Sequence, residues 1–369
     1  MKKLKTDVVV LGAGPGGYAA AFYAADQGKM VTLVDRGTQL GGVCLNRGCI
    51  PSKALINATS VMEEALGSDH RGISFSRPKI NLKKMKAWKD GIISTLASGI
   101  GQLAKKRNVD VVKGNAHFES PTMIRVELDK GQVFIEFDTA IIAVGSRPAL
   151  PAAFDLGSHR IMTSTEALDL SDIPDSLLVI GGGYIGMELG TVYANLGSKI
   201  TVVEAMGSLL AGADSDLVRP VMKKAKEKFD TIHLSTKVKK LKTEGSTIKV
   251  EMEGPDGNGI TETFDKVLVS IGRTPNSDDL GLSDSGIEVD DRGFIVVNAY
   301  QQTTVPHIYA IGDIAGGILL AHKASKEAKI AVDNACGTPI KNENIHIPAV
   351  VFTDPEVAWV GLTETEAKE

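Results

Sequence analysis

Cys44 and Cys49 are the residues best suited to chemistry, and they sit in Gly41-Gly42-Val43-Cys44-Leu45-Asn46-Arg47-Gly48-Cys49-Ile50-Pro51-Ser52-Lys53. In one continuous α-helix their spacing would separate them by about 7.5 Å of axial rise, beyond the comfortable Cα distance for a disulfide. The segment must therefore bend. Gly48 permits a bend, and Pro51 suits the first position of a following helix, where its missing N–H is not needed and its φ is already helical. Cys49 then falls just before a helix N-terminus, whose dipole favours a thiolate. Two packed thiols are commonplace, but that reading explains neither the glycines nor the position. A cytosolic compartment keeps ordinary thiols reduced, so a tight pair beside a dinucleotide site points to a redox-active disulfide.

Two repeated units must position that pair. Gly12-x-Gly14-x-x-Gly17 follows the apolar run Val8–Leu11, and Gly181-x-Gly183-x-x-Gly186 follows Leu177–Ile180. Each opens a helix-like stretch and leads to a second strand ending in an acid, Asp35 or Glu204, which follows the first glycine by 23 residues in both copies. Three glycines alone are a weak signal. With strand, helix and acid in place they become a dinucleotide fingerprint: tight turn, close approach to a pyrophosphate at a helix N-terminus, and a carboxylate for the ribose hydroxyls. A nicotinamide gives up a hydride, whereas a dithiol works by thiolate attack, and a flavin can exchange with both. Because Cys44 lies nine residues after Asp35, the first site is expected to hold FAD and the second the nicotinamide. Glu204 favours NAD over NADP, since it accepts from a free 2′-hydroxyl and repels a 2′-phosphate.

The fold class implied is α/β, with two Rossmann-like dinucleotide-binding domains, the NAD domain inserted in the FAD domain. Two hairpins support the insertion, Ile124–Leu128 with Val133–Phe137 and Ile248–Met252 with Ile260–Phe264, each at the end of a dinucleotide unit. Each leads through an apolar strand into a similar exit, Gly145-Ser146-Arg147-Pro148 and Gly272-Arg273-Thr274-Pro275. The expected boundaries are 1–148 for the first FAD part, 149–275 for NAD, 276–345 for the second FAD part and 346–369 for the start of another domain. Segments 51–66 and 82–106 read as a helical pair packed on the first domain, the latter through a core stripe of Ile92, Ile93, Leu96, Ile100 and Leu103.

With 369 residues, 43% hydrophobic and 23% charged, the chain can form two or three cored domains. A net charge of -4 lacks the basic excess of a nucleic-acid binder, and the short lysine clusters read as solvated faces. No apolar run is long enough for a membrane span, and Asp7 with the following Gly/Pro cluster breaks any signal-peptide pattern, so a cytoplasmic protein is expected. Cys336 reads as a packed small hydrophobe. No metal site is expected, because no His/Cys cluster has ligand spacing.

These motifs resemble the pyridine nucleotide-disulfide oxidoreductases over nearly the whole chain, and within them the dihydrolipoamide dehydrogenase group. Residues 40–55 are similar to that group's disulfide motif, Ser52 standing where glutathione reductases carry Lys, and residues 181–193 match it too. The resemblance implies that Cys49 is the sulfur beside the flavin and that Cys44 exchanges with the lipoyl substrate. It implies a Lys53–Glu188 pair by the flavin, Glu188 also belonging to the NAD side, and Tyr184 covering the nicotinamide pocket. Ile308-Tyr309-Ala310-Ile311-Gly312-Asp313 resembles a second FAD motif, with Asp313 on a ribityl hydroxyl and Gly145 and Gly312 beside FAD, as Gly272 is beside NAD.

The resemblance to the dihydrolipoamide dehydrogenase group further implies a homodimer serving the lipoyl domains of 2-oxo acid dehydrogenase complexes, with a His–Glu base supplied from an interface domain. Here that domain begins at Val350-Val351-Phe352-Thr353-Asp354-Pro355-Glu356 and stops, so the sequence reads as truncated before the base. Thr363-x-x-Glu366 is a capping box with too few residues after it to sustain a helix. The activity implied is NAD-dependent oxidation of protein-bound dihydrolipoamide. Its rivals are a mercuric or other FAD disulfide reductase and a flavin-binding scaffold without lipoamide turnover.

Overall fold

Val8, Val9, Val10 and Leu11 are each no more than 3% exposed, and an unbroken apolar run of this kind suits a parallel strand covered on both faces. They end strand β1 (Lys2–Leu11), which lies between β2 (Val31–Asp35) and β6 (Gln132–Ile142), parallel to both. β3 (Asp110–Lys113) continues the sheet beyond β2, and β17 (Ile308–Ala310) adds to the Ala140–Ile142 end of β6. At its other end β6 turns back antiparallel on β5 (Met123–Glu127), which pairs with β4 (Asn115–Ser120). The first expected hairpin is therefore β5–β6. Helices α1 (Pro15–Asp26) and α8 (Ala321–Ala335) cover the sheet with small residues, Ala20, Ala21, Ala24, Ala328 and Ala331, in one core with Val8, Val10, Leu33 and Ile141. Small side chains allow the close approach that a glycine loop followed by a helix requires.

The computed structural model describes residues 2–343 and 346–369, so the boundary expected at 345 lies outside the described residues. The chain divides into two compact units, the first Met1–Asn46, Ile92–Arg147 and Thr274–Ile347, the second Arg47–Gly91, Pro148–Arg273 and Pro348–Glu369. Passages between them occur near α2 (Gly42–Arg47) and α3 (Cys49–Leu66), within α4 (Leu82–Lys106), and at the short strands β7 (Ser146–Pro148) and β16 (Arg273–Pro275).

The second unit repeats the plan. β9 (Ser176–Ile180) lies between β10 (Lys199–Val203) and β15 (Lys266–Val269), with β11 (Thr231–His233) beyond β10 and β8 (Ile161–Met162) beyond β15, all parallel. Helices α5 (Ser164–Asp169), α6 (Tyr184–Leu196) and α7 (Ser215–Lys228) flank the sheet in sequence. The second expected hairpin is β13 (Thr247–Glu253) with β14 (Gly259–Phe264), extended by β12 (Lys237–Glu244). The fifth parallel strand comes from downstream in the first unit and from upstream in the second.

Two local expectations change. Residues 51–66 group with the second unit instead of the first: Leu55 of α3 is fully buried with Met187, Val192 and Tyr193 of α6. On α4 the buried line is Ile93, Ala97, Ile100 and Ala104, while Leu96 and Leu103 are 43% and 45% exposed. Two alanines complete a helical stripe that attention to large residues assigned to the wrong edge. At the end of the chain, β18 (Ala349–Val351) and β19 (Val357–Trp359) form a hairpin, and α9 (Glu364–Lys368) makes a single turn. The Thr363/Glu366 capping box is formed, and Glu364 N–H donates to Asp214 at 2.9 Å, so a tertiary contact supports a turn too short to stand alone.

Among the described residues no helix is long and apolar enough to cross a membrane. Tyr193, only 1% exposed, donates its Oη to Ala167 O at 2.9 Å, and burial raises its pKa. Tyr193→Phe removes that donor while keeping the ring, so unfolding stability should fall by about 1 kcal/mol. A urea midpoint equal to wild type would mean that the bond contributes nothing net.

Candidate functional site

The two glycine loops have the same local geometry. Gly12 has φ +94°, and a Cβ there would lie 2.4 Å from Ala143 O; Gly181 has φ +105°, with the corresponding Cβ 2.5 Å from Ser270 O. Each loop turns against the carbonyl of the strand beside it. A Cβ on Gly17 would sit 1.7 Å from Gly12 O, and one on Gly186 would sit 2.1 Å from Gly181 O, so the third glycine lets the helix start against its own loop. The middle glycine differs in both copies. Nothing lies within 4 Å of a Cβ on Gly183, and only Gly42 Cα, at 3.9 Å, approaches one on Gly14. Packing within the chain does not demand those two glycines. The space they leave, before the N-termini of α1 and α6, fits a pyrophosphate.

Asp35 ends β2 and Glu204 directly follows β10, and both bind their own glycine loops. Asp35 Oδ2 accepts from Ala13 N at 2.6 Å and Oδ1 from Gly37 N at 2.6 Å. Glu204 Oε2 accepts from Gly182 N and Oε1 from Met206 N, each at 2.7 Å. Each carboxylate oxygen keeps a further lone pair for a ribose hydroxyl. The acids thus hold the loops in shape.

The cysteine segment bends at Gly48, where φ is -149° and ψ is -111°. Cys44 lies within α2, and Cys49 is the first residue of α3 rather than the residue before it, with Pro51 third. Both thiols are half-buried. Cys49 keeps its place at a positive helix end, and its carbonyl accepts from Ser52 Oγ at 3.0 Å. Ahead of it, Gly41 N donates to Ala13 O at 2.8 Å, and Gly42, at φ +60°, would carry a Cβ only 2.4 Å from Gly14 Cα. The glycine pair before Cys44 is therefore fitted directly to the first glycine loop, a role that motif spacing did not reveal.

In the second unit, Lys53 Nζ lies 2.7 Å from Glu188 Oε2, and Glu188 is 3% exposed. Glu188 Oε1 accepts from Phe352 N at 3.0 Å, and the Phe352 ring lies under the Lys53 ammonium, 4.6 Å from Nζ to centroid. An exposed ion pair of little worth does not describe this arrangement. The carboxylate is buried and bound at both oxygens, and Phe352 is a member that sequence reasoning missed. Tyr184 is the first residue of α6 and 38% exposed.

In the first unit, Asp313 lies in a 3-10 turn, Gly312–Ala315, and accepts from Ser146 Oγ beside Gly145. Gly145 and Gly272 both have positive φ, +67° and +134°, with no atom within 4 Å of a Cβ, so the equivalent exits after β6 and β15 are open. Ser146 is a second residue that went unrecognised. Its only sequence signal was the turn following an apolar strand.

Paired glycine loops, acids at the strand ends and a cysteine segment docked on the first loop define a two-dinucleotide α/β oxidoreductase. The description "Pyridine nucleotide-disulphide oxidoreductase" matches residues 6–328, and that family's dimerisation domain matches residues 347–369. The chain belongs to this family, whose members use FAD and NAD(H). It is 46% identical over 367 residues to the dihydrolipoyl dehydrogenase of Vibrio cholerae, covering 100% of this chain and 77% of that protein. It is 45% identical over 369 residues to the dihydrolipoyl dehydrogenase of Bacillus subtilis, covering 99% and 77%. Among solved structures, the HOCl-induced flavoprotein disulfide reductase RclA of Escherichia coli, as its Cu(II) complex, superposes with a TM-score of 0.87 at 26% identity, over 99% of this chain and 79% of that one.

Proposed function

We propose that this protein is a dihydrolipoyl dehydrogenase, oxidising protein-bound dihydrolipoamide through Cys44 and Cys49 and reducing NAD by way of FAD. The observation that carries the reading is the fit of Gly42 against Gly14, which fastens the Cys44 segment to the first glycine loop. FAD is assigned to Gly12, Gly14, Gly17, Asp35, Gly145, Gly312 and Asp313 with Lys53. NAD is assigned to Gly181, Gly183, Tyr184, Gly186, Glu204 and Gly272 with Glu188. In domain terms, 1–148 and 276–345 serve FAD, 149–275 serves NAD, and 346–369 opens an interface domain. The physiological setting assigned is a cytoplasmic homodimer acting on lipoyl domains.

The chain's residues have distinct tasks. One thiolate of the dithiol substrate attacks Cys44 Sγ, the S–S bond breaks, and Cys49 Sγ leaves as a thiolate at the N-terminus of α3, where the dipole stabilises it. The second substrate thiolate then attacks its own mixed-disulfide sulfur, closing lipoamide and releasing Cys44. Bound FAD supplies a ring that takes electrons from a thiolate and passes a hydride to NAD. Glu188 fixes Lys53, whose cation favours negative charge nearby.

The test is the activity of the flavin-bearing protein. Lipoamide-dependent NADH turnover, with FAD copurifying at about one per chain, supports the assignment. Hg(II)-dependent NADPH consumption would replace it with a mercuric reductase, and FAD without either turnover would leave a flavin-binding scaffold.

Glu204→Arg should raise the NADPH/NADH ratio of kcat/KM by roughly 10- to 100-fold, because a guanidinium replaces an anion at the 2′ position. It should also cost about 1–3 kcal/mol of stability, since Gly182 and Met206 lose their acceptor. An unchanged cofactor ratio would place Glu204 away from the ribose.

A further inference from the structure

One ion pair in the first unit is more buried than any surface role requires. Lys323 and Glu327, one turn apart on α8, are 9% and 4% exposed, with Nζ 3.0 Å from Oε1. Lys323 Nζ also donates to Gly312 O at 3.2 Å and to Gly316 O at 2.7 Å, and Glu327 Oε2 accepts from Gly312 N at 2.7 Å. Both backbone polar groups of Gly312 and the carbonyl of Gly316 therefore close on this one pair. Gly312 and Gly316 have φ of +76° and +74°, and the turn between them presents Asp313. A turn bounded by two left-handed glycines leaves backbone groups that no helix or ladder satisfies, and each costs free energy if buried unpaired.

The same stretch of α8 reaches the other glycine loop. Ser325 Oγ donates to Pro15 O at 3.3 Å, and Ala324 Cβ lies 3.1 Å from a Cβ built on Gly16 and 3.0 Å from one built on Gly312. Between them, residues 323–327 hold the first turn of α1 and the Asp313 turn in one register. Burial of Glu327 pushes its carboxyl above the usual range, against the pull of Lys323 and the Gly312 N–H. Replacing both residues by apolar ones would relieve that desolvation cost of the charges. What apolar residues cannot supply is directed bonds to three chosen backbone atoms.

We propose that Lys323 and Glu327 are positioning residues for FAD, setting the Gly312–Gly316 turn so that Asp313 meets the ligand held by the Gly12–Gly17 loop. The inference rests on the assignment of FAD to the first unit. It makes FAD affinity depend on a pair that need not touch the cofactor.

The experiment measures FAD dissociation constants after reconstitution of the apoprotein, with apoprotein urea midpoints and NAD affinity alongside, for Lys323→Met, Glu327→Gln and the double Lys323→Met/Glu327→Met. Each single variant should weaken FAD by roughly 10- to 100-fold and leave NAD affinity within about twofold. The double variant should bring the apoprotein midpoint back above that of Lys323→Met, because no lone charge remains buried, yet keep the weakened FAD affinity. FAD affinity restored together with the midpoint would make the pair purely structural and overturn the proposal. Should the double variant not fold, the nearly isosteric Glu327→Gln decides alone, and FAD affinity equal to wild type overturns the proposal. Wild-type protein unable to bind FAD would instead defeat the functional assignment on which the proposal rests.

Discussion

Cys49→Ser should lower lipoamide-dependent NADH formation by on the order of 10,000-fold, because a serine can neither form the disulfide nor leave as a thiolate. The substitution is small, and the position, first residue of α3 after the bend at Gly48, accepts a hydroxyl without strain, serine being a good residue near a helix start. NADH-dependent reduction of an artificial acceptor should persist within a few-fold, since that route bypasses the thiols. Cys336→Ser supplies the control. Cys336 caps the C-terminal end of α8, packed on the first unit's core, and its loss should leave both activities within about twofold. Cys49→Ser retaining a tenth of wild-type lipoamide turnover would remove Cys49 from the mechanism. Equal loss of both activities would point instead to damage at the flavin site.

Much of the site was legible in the sequence because its determinants are local. A strand, three glycines and an acid follow one another within each unit, and the first and third glycines have a steric reason within that unit. The bend at Gly48 and both hairpins were legible on the same ground. What escaped involves partners far apart in the chain: Phe352 with Glu188, Ser146 with Asp313, and Gly42 with Gly14. No periodicity encodes such meetings. The displacement of α3 to the second unit has the same origin, since an amphipathic helix announces a buried face but not the surface it will cover. The α4 stripe failed for a different reason. Alanines at 97 and 104 carry little hydrophobic signal, yet they line the buried face and leave larger neighbours in solvent.

Gly183→Val and Gly186→Ala should fail in opposite ways, which separates a glycine kept for the ligand from one kept for the fold. A Cβ on Gly186 would lie 2.1 Å from Gly181 O, 2.7 Å from Ser270 Oγ and 3.0 Å from Val179 Cγ1, so α6 must move away from β9 to admit even a methyl. Overpacking against backbone should cost at least about 1–3 kcal/mol, read as a lower urea midpoint with or without NAD. At Gly183 the backbone is extended, φ -74° and ψ 178°, and no atom lies within 4 Å of a Cβ, so valine fits there with stability changed by only about 0.5 kcal/mol. The isopropyl group instead fills the space before the N-terminus of α6 to which the NAD pyrophosphate is assigned. NAD affinity should fall by roughly 100-fold or more, an effect of about 3 kcal/mol, while FAD content stays at the wild-type level. Calorimetric titration of NAD into both variants, beside urea unfolding of each, gives the comparison. Wild-type NAD affinity in Gly183→Val would mean that no phosphate approaches this loop, and the second unit would lose its assignment as the nicotinamide site.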